Sequence, residues 1–162
     1  MTAAATGTER SHLWSAPDTT CPDGEQRDRA LVQALVQLLE DTRALGGVVF
    51  GRNGLHLARA GMDQVQAERA AAALNGLHLF SREAGRQHKR GEVETVLARY
   101  QSGAVVIAPL TDEVTTALVV DDAVSLRETA RALTLFAGSV QHLLPHQPRP
   151  FMRQASGIEV RG

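Results

Sequence analysis

Between Glu92 and Val120 the chain carries three apolar or β-branched stretches separated by only a few residues each. Parallel strands need a crossover of a dozen residues or more, whereas antiparallel strands can be joined by a tight turn. The joints here are Gln101-Ser102-Gly103 and Thr111-Asp112-Glu113. Neighbouring strands should therefore run antiparallel. Glu92–Tyr100 is partly alternating, with Val93, Thr95 and Leu97 on one side. Ala104–Leu110 is a near-continuous apolar run, as expected of a central strand, and Thr115–Val120 is the last strand.

Three helices and a hairpin surround these strands. Leu31, Leu35, Leu38 and Leu39 make an apolar stripe at helical spacing from about Glu25 to Ala44, with Asp23 as cap and Gly46-Gly47 as stop. A hairpin follows. Gly47–Phe50 and Leu55–Ala58 flank Arg52-Asn53-Gly54, and Asn-Gly predicts a type I′ turn. The second helix runs from Asp63, boxed with Gln66, to about Gln87. Ala67, Ala70, Ala71, Leu74, Leu77 and Ser81 form one face, while Val65, Ala72, Leu79 and Phe80 lie on another. A surface helix normally buries one stripe, so a helix apolar on two sides meets a second surface. Successive alanines, Ala70–Ala73, would let another backbone come close. The third helix starts at Ser125, boxed with Glu128, and ends at Leu144 before Pro145. The order α-β-β-α-β-β-β-α predicts an α+β fold, a five-stranded antiparallel sheet flanked by three helices.

Outside this unit the composition changes. Residues 1–24 are rich in Ala, Thr, Ser, Gly and Pro and read as a disordered arm, with Leu13 and Trp14 as its only conspicuous apolar pair. Residues 145–162 read as a Pro-rich flexible tail. The arm has no apolar core of a secretory signal, and no apolar run is long enough to span a bilayer, which makes the cytoplasm the expected location. Net charge is -1, so nothing points to nucleic acid.

The residues of catalysis do not assemble. The only cysteine, Cys21, lies in the arm, away from any positioned base. No Gly-rich phosphate loop precedes a helix. His142 and His146 have the spacing of a helical metal pair, but Pro145 between them ends the helix. Arg82, Arg86, His88, Lys89 and Arg90 form a short basic stretch, which Glu83 and Glu92 dilute and which suits a helix C-terminus. Asp121-Asp122 likewise suits the start of the third helix. No enzyme, cofactor or metal is expected.

Three stretches together resemble the roadblock family, which includes dynein light chains and bacterial MglB-like proteins. The first is Gly47-Val48-Val49-Phe50-Gly51-Arg52-Asn53-Gly54-Leu55. The second is Gly61-Met62-Asp63 leading into Ala67, Ala71, Asn75-Gly76-Leu77 and Ser81-Arg82. The third is Gly103–Asp122, where Ala-Val-Val-Ile-Ala-Pro-Leu precedes Ala-Leu-Val-Val-Asp-Asp. The resemblance covers about Glu25 to Leu144; its third turn, Gln101-Ser102 before Ala104, carries less glycine than family members often do. It implies a profilin-like fold and homodimers in which third strands pair and second helices pack. On this chain the implied dimer or partner interface is Val65, Ala72, Leu79 and Phe80 on the helix and Glu94 and Val96 on the strand. It further implies a small Ras-like GTPase as partner, in a bacterial signalling system, with hydrolysis promoted by reshaping the GTPase. Were an arginine supplied, Arg52, Arg86 and Arg90 would be the candidates. The alternative is a small-ligand sensor domain, since a curved sheet with helices can enclose a pocket.

Overall fold

The computed structural model describes residues 22–145. Its elements are α1 (Pro22–Thr42), β1 (Gly46–Gly51), β2 (His56–Ala60), α2 (Gln64–Gln87), β3 (Val96–Tyr100), β4 (Gly103–Pro109), β5 (Val114–Val120) and α3 (Leu126–Val140), followed by a 3-10 turn over Gln141–Leu143. The order matches the expectation. The last three residues of the expected arm, 22–24, belong to α1; the rest of the arm and the tail beyond Pro145, with Trp14, Cys21 and His146, lie outside the described residues.

The strands form one sheet in the order β2-β1-β5-β4-β3, and every neighbouring pair is antiparallel. Alternation along each strand splits the core in two. Val49, Val106, Leu118 and Val120 face α1 and α3, where Leu31, Leu35, Leu133 and Phe136 meet them. Val48, Phe50, Val105, Ile107 and Ala117 face the other way, toward Ala67 and Ala71 of α2. Helices cover both faces, which explains why β4 and β5 are apolar at nearly every position instead of alternating.

Four boundaries differ from the sequence reading. Helix α1 spans Pro22–Thr42, starting one residue before the expected cap position at 23. Proline suits a first turn because its missing N–H would find no helical acceptor there. The β1–β2 joint is not a type I′ turn, because only Gly54 has positive φ, at 77°. Gly54 N–H donates to the Gly51 carbonyl and Gly51 N–H to the Leu55 carbonyl, both at 2.9 Å. Asn53 uses its side-chain oxygen to accept from Leu55 N–H at 3.1 Å. The result is a three-residue loop closed by one left-handed glycine. Strand β3 starts at Val96 and not at Glu92. The register pairs Val96 with Ile107, so a longer ladder would soon reach Pro109, which has no N–H to give. Helix α3 ends at Val140, and the 3-10 turn carries the chain to Leu144.

The cap of α2 matches the sequence reading. Gln66 N–H donates to Asp63 Oδ1 at 2.8 Å, and Asp63 N–H donates to Gln66 Oε1 at 3.0 Å. Asp63→Ala should cost about 1 kcal/mol, read as a lower urea midpoint with an unchanged slope. Ser125 likewise accepts from Glu128 N–H at the start of α3. Asn75 of α2 donates to the Arg52 carbonyl at 3.1 Å, which ties the middle of the helix to the first hairpin loop.

Candidate functional site

Among the described residues helix α2 is the only helix on its side of the sheet, and nothing among them covers its outer surface. Val65, Ala72 and Leu79 recur every seventh residue along that surface, and Phe80 stands beside Leu79. All four are exposed, and Phe80 is 79% accessible. The centre of the stripe is low: beyond Ala72 and Ala73 comes Gly76, where an added Cβ would meet nothing within 4 Å. Large residues at the ends and small ones between allow close approach of a second helix.

Strand β3 forms one edge of the sheet, so one side of its backbone has no neighbouring strand among the described residues. Such an edge is a template for another strand. Val96 is half-buried and packs with the α2-side core. Tyr100 lies on the same face two pleats further on and is 61% accessible. Glu94 is exposed and precedes the strand, so its expected place on the ladder is corrected; the early end of pairing near Pro109 is the cause. Of the six expected interface residues, Val65, Ala72, Leu79 and Phe80 are exposed on α2, Val96 begins β3 and Glu94 precedes it.

The basic stretch gathers around a depression of about 580 Å³ lined by Arg52, Arg82, Arg86 and Lys89 with Glu83 and Glu92. Its arginines are already engaged. Arg86 meets Glu83 at 2.6 Å, Arg82 meets Glu92 at 3.4 Å and Arg52 meets Glu113 at 3.4 Å. The Arg86 hydrogen bonds, helped by Gln87, hold the Glu83 carboxyl below its usual range. The depression is therefore a mixed-charge surface and not a cationic trap. Of the arginines named as possible donors, Arg52 and Arg86 are in these pairs and Arg90 is exposed.

One residue escaped the sequence reading. His78 on α2 is buried, only 6% accessible, and its Nδ1 has no hydrogen-bond partner among the described residues. Burial, reinforced by Arg82 and opposed by Glu92, lowers its pKa from the ordinary value. A histidine that titrates near pH 6.5 when unfolded but lower when folded binds protons more readily unfolded. Its part of the stability is therefore intact above about pH 6.5 and declines as pH falls from there toward the folded pKa. Melting temperatures from about pH 8 to about pH 5 should show a steeper acid-side loss for the native chain than for His78→Phe. Equal slopes would refute this.

Among the described residues no group of three or more His, Cys, Asp or Glu side chains is placed to hold a metal, and no helix is long and apolar enough to cross a membrane.

The sequence profile of the Roadblock/LC7 domain matches residues 31–122, more than half of the chain. The chain belongs to the Roadblock/LC7 domain family. Solved structures agree at the level of fold. A Roadblock/LC7 domain from Streptomyces avermitilis is 22% identical, with a TM-score of 0.62 over 70% of this chain and 93% of that one. MglB of Myxococcus xanthus is 13% identical, with a TM-score of 0.67 over 73% of this chain and 92% of that one. Profilin II of Acanthamoeba castellanii, 15% identical, gives a TM-score of 0.50 over 68% and 94%. No curated protein matches the chain.

Proposed function

We propose that this protein is a homodimeric regulator or scaffold that binds a small Ras-like GTPase in a bacterial signalling system. The observation that carries the dimer is an apolar outer face on α2 in a sheet whose β3 edge has no neighbouring strand among the described residues. Val65, Ala72, Leu79, Phe80 and Val96 form the contact, with Glu94 at its margin. Family membership, and the fold shared with MglB, support the GTPase as partner. Its role is to hold or reshape the GTPase, and no side chain of its own takes part in bond breaking. It operates in the cytoplasm without cofactor or metal, and neither nucleic acid nor membrane insertion enters its action.

The dimer is tested by light scattering on the full chain. The native protein should have twice the mass of Val96→Pro and of Phe80→Glu. Proline at Val96 removes the N–H that faces Ile107 of β4 and so distorts the start of the edge strand, and glutamate places a charge in an apolar contact. A native monomer, or dimers of all three, would overturn the reading. The partner is tested by titrating a GTP-loaded Ras-like GTPase from the same source and timing single-turnover hydrolysis. Binding with faster hydrolysis identifies an activator, and binding alone a scaffold. Absence of binding would reject the GTPase. The sensor alternative has less support, because the arginines lining the basic depression are engaged by carboxylates.

A further inference from the structure

A cavity of about 210 Å³ opens beside the start of β3, between α2 and the end of β4, with His78, Arg82, Glu92, Val93, Pro109 and Asp112 in its walls. For scale, an apolar cavity of roughly 150 Å³ accepts benzene. Arg82 and Glu92 are paired with each other at 3.4 Å. The unmet demand in this wall is His78, more than nine-tenths buried, with Nδ1 unpartnered among the described residues. A buried polar atom without a hydrogen bond costs free energy, and each such atom calls for an explanation.

Symmetry supplies a donor. Let the β3 edges of two copies pair antiparallel about a two-fold axis normal to the sheet. Both α2 helices then lie on one side of the joined sheet. Side chains alternate between faces, so each residue must oppose one of its own parity. The register that pairs all of Val96–Tyr100 sets Ala98 against itself and Tyr100 against Val96 of the other copy. Slipping by one pleat in the direction of Glu92 keeps the parity and moves Tyr100 further toward the cavity. Tyr100 shares the α2-side face with Val96. Diagonal neighbours across paired strands lie about 7–8 Å apart, within reach of an aromatic ring. Tyr100 is also the only tyrosine in the chain.

We propose that, in the dimer, the partner's Tyr100 fills this cavity and donates its phenolic hydrogen bond to His78 Nδ1. The inference rests on the dimer reading above and adds to it a specific lock made in trans, twice per dimer. The lock makes each copy's cavity complete only in the presence of the other.

The test mixes two single variants of the full chain, Tyr100→Phe and His78→Phe, and weighs the dimers by native mass spectrometry. Each homodimer has lost both locks. The mixed dimer keeps one native Tyr–His pair and gains one Phe–Phe pair, in which no polar group is left unpaired. The mixed dimer should therefore exceed its binomial share, and Tyr100→Phe alone should raise the dimer dissociation constant about tenfold or more. If His78→Phe fails to fold, His78→Leu, equally unable to accept a hydrogen bond, replaces it in the same mixture. A binomial mixture with the native dissociation constant overturns the lock while leaving the dimer standing. A native monomer overturns both.

Discussion

Phe50→Ala should destabilise the protein by about 3–5 kcal/mol, a large part of the roughly 5–15 kcal/mol that holds a domain together. Phe50 is fully buried in the α2-side core. Its neighbours there include Ala67, Ala71 and Ala117, which are small and have no rotamers with which to fill a gap. Truncation therefore leaves a cavity close to its full size, and the cost of such substitutions grows with cavity volume. Phe50 also pairs with His56 beside the register shift of the β1–β2 ladder, so its loss loosens the hairpin on which α2 rests. Urea unfolding followed by circular dichroism reads the effect. A loss below about 1 kcal/mol would show that the sheet closes over the gap.

Gly103→Ala is the second large effect, expected to cost about 2–4 kcal/mol. Gly103 has φ +136°, which an alanine rarely adopts, and a Cβ there would collide with the Val120 carbonyl oxygen. The strain cannot relax locally, because Gly103 pairs with Tyr100 on one side while Ala104 pairs with Val120 on the other. The same substitution should weaken any β3-mediated association, since this turn fixes which face Tyr100 and Val96 occupy. Thermal unfolding of Gly103→Ala beside Gly138→Ala, where an added Cβ meets nothing within 4 Å, separates the backbone effect from a general glycine effect. Equal melting temperatures would refute it.

Much of this fold is legible in the residues because local rules agree with the global packing. The Asp63–Gln66 cap, the short joints after Tyr100 and Leu110, and the two apolar sides of α2 each depend on neighbours within a few positions. What failed depends on distant partners. The length of β3 is limited near Pro109, on another strand. Asn53 was read by its backbone habit, but its side chain accepts from Leu55 and leaves Gly54 alone to turn left-handed. The spatial order, with β5 between β1 and β4, is set by long-range pairing that no spacing discloses. His78 was overlooked for a related reason. A histidine between Leu77 and Leu79 reads as ordinary helix surface until the sheet buries it. The outer stripe of α2 was found in advance because its residues are apolar where the fold offers them no partner.

The sheet's two borders are unequal, and that inequality sets a ceiling on growth. Both borders are five residues long and carry an arginine, but β2 alone is kinked, where its pairing with β1 shifts register between Val49 and Phe50. Kinked borders resist further pairing. The other border, β3, has no bulge in its ladder. When that side is used by a twin, the ten-stranded product presents β2 at both ends. In the proposed dimer polymerisation then has no propagating end, which makes that dimer a finite particle and not a fibre.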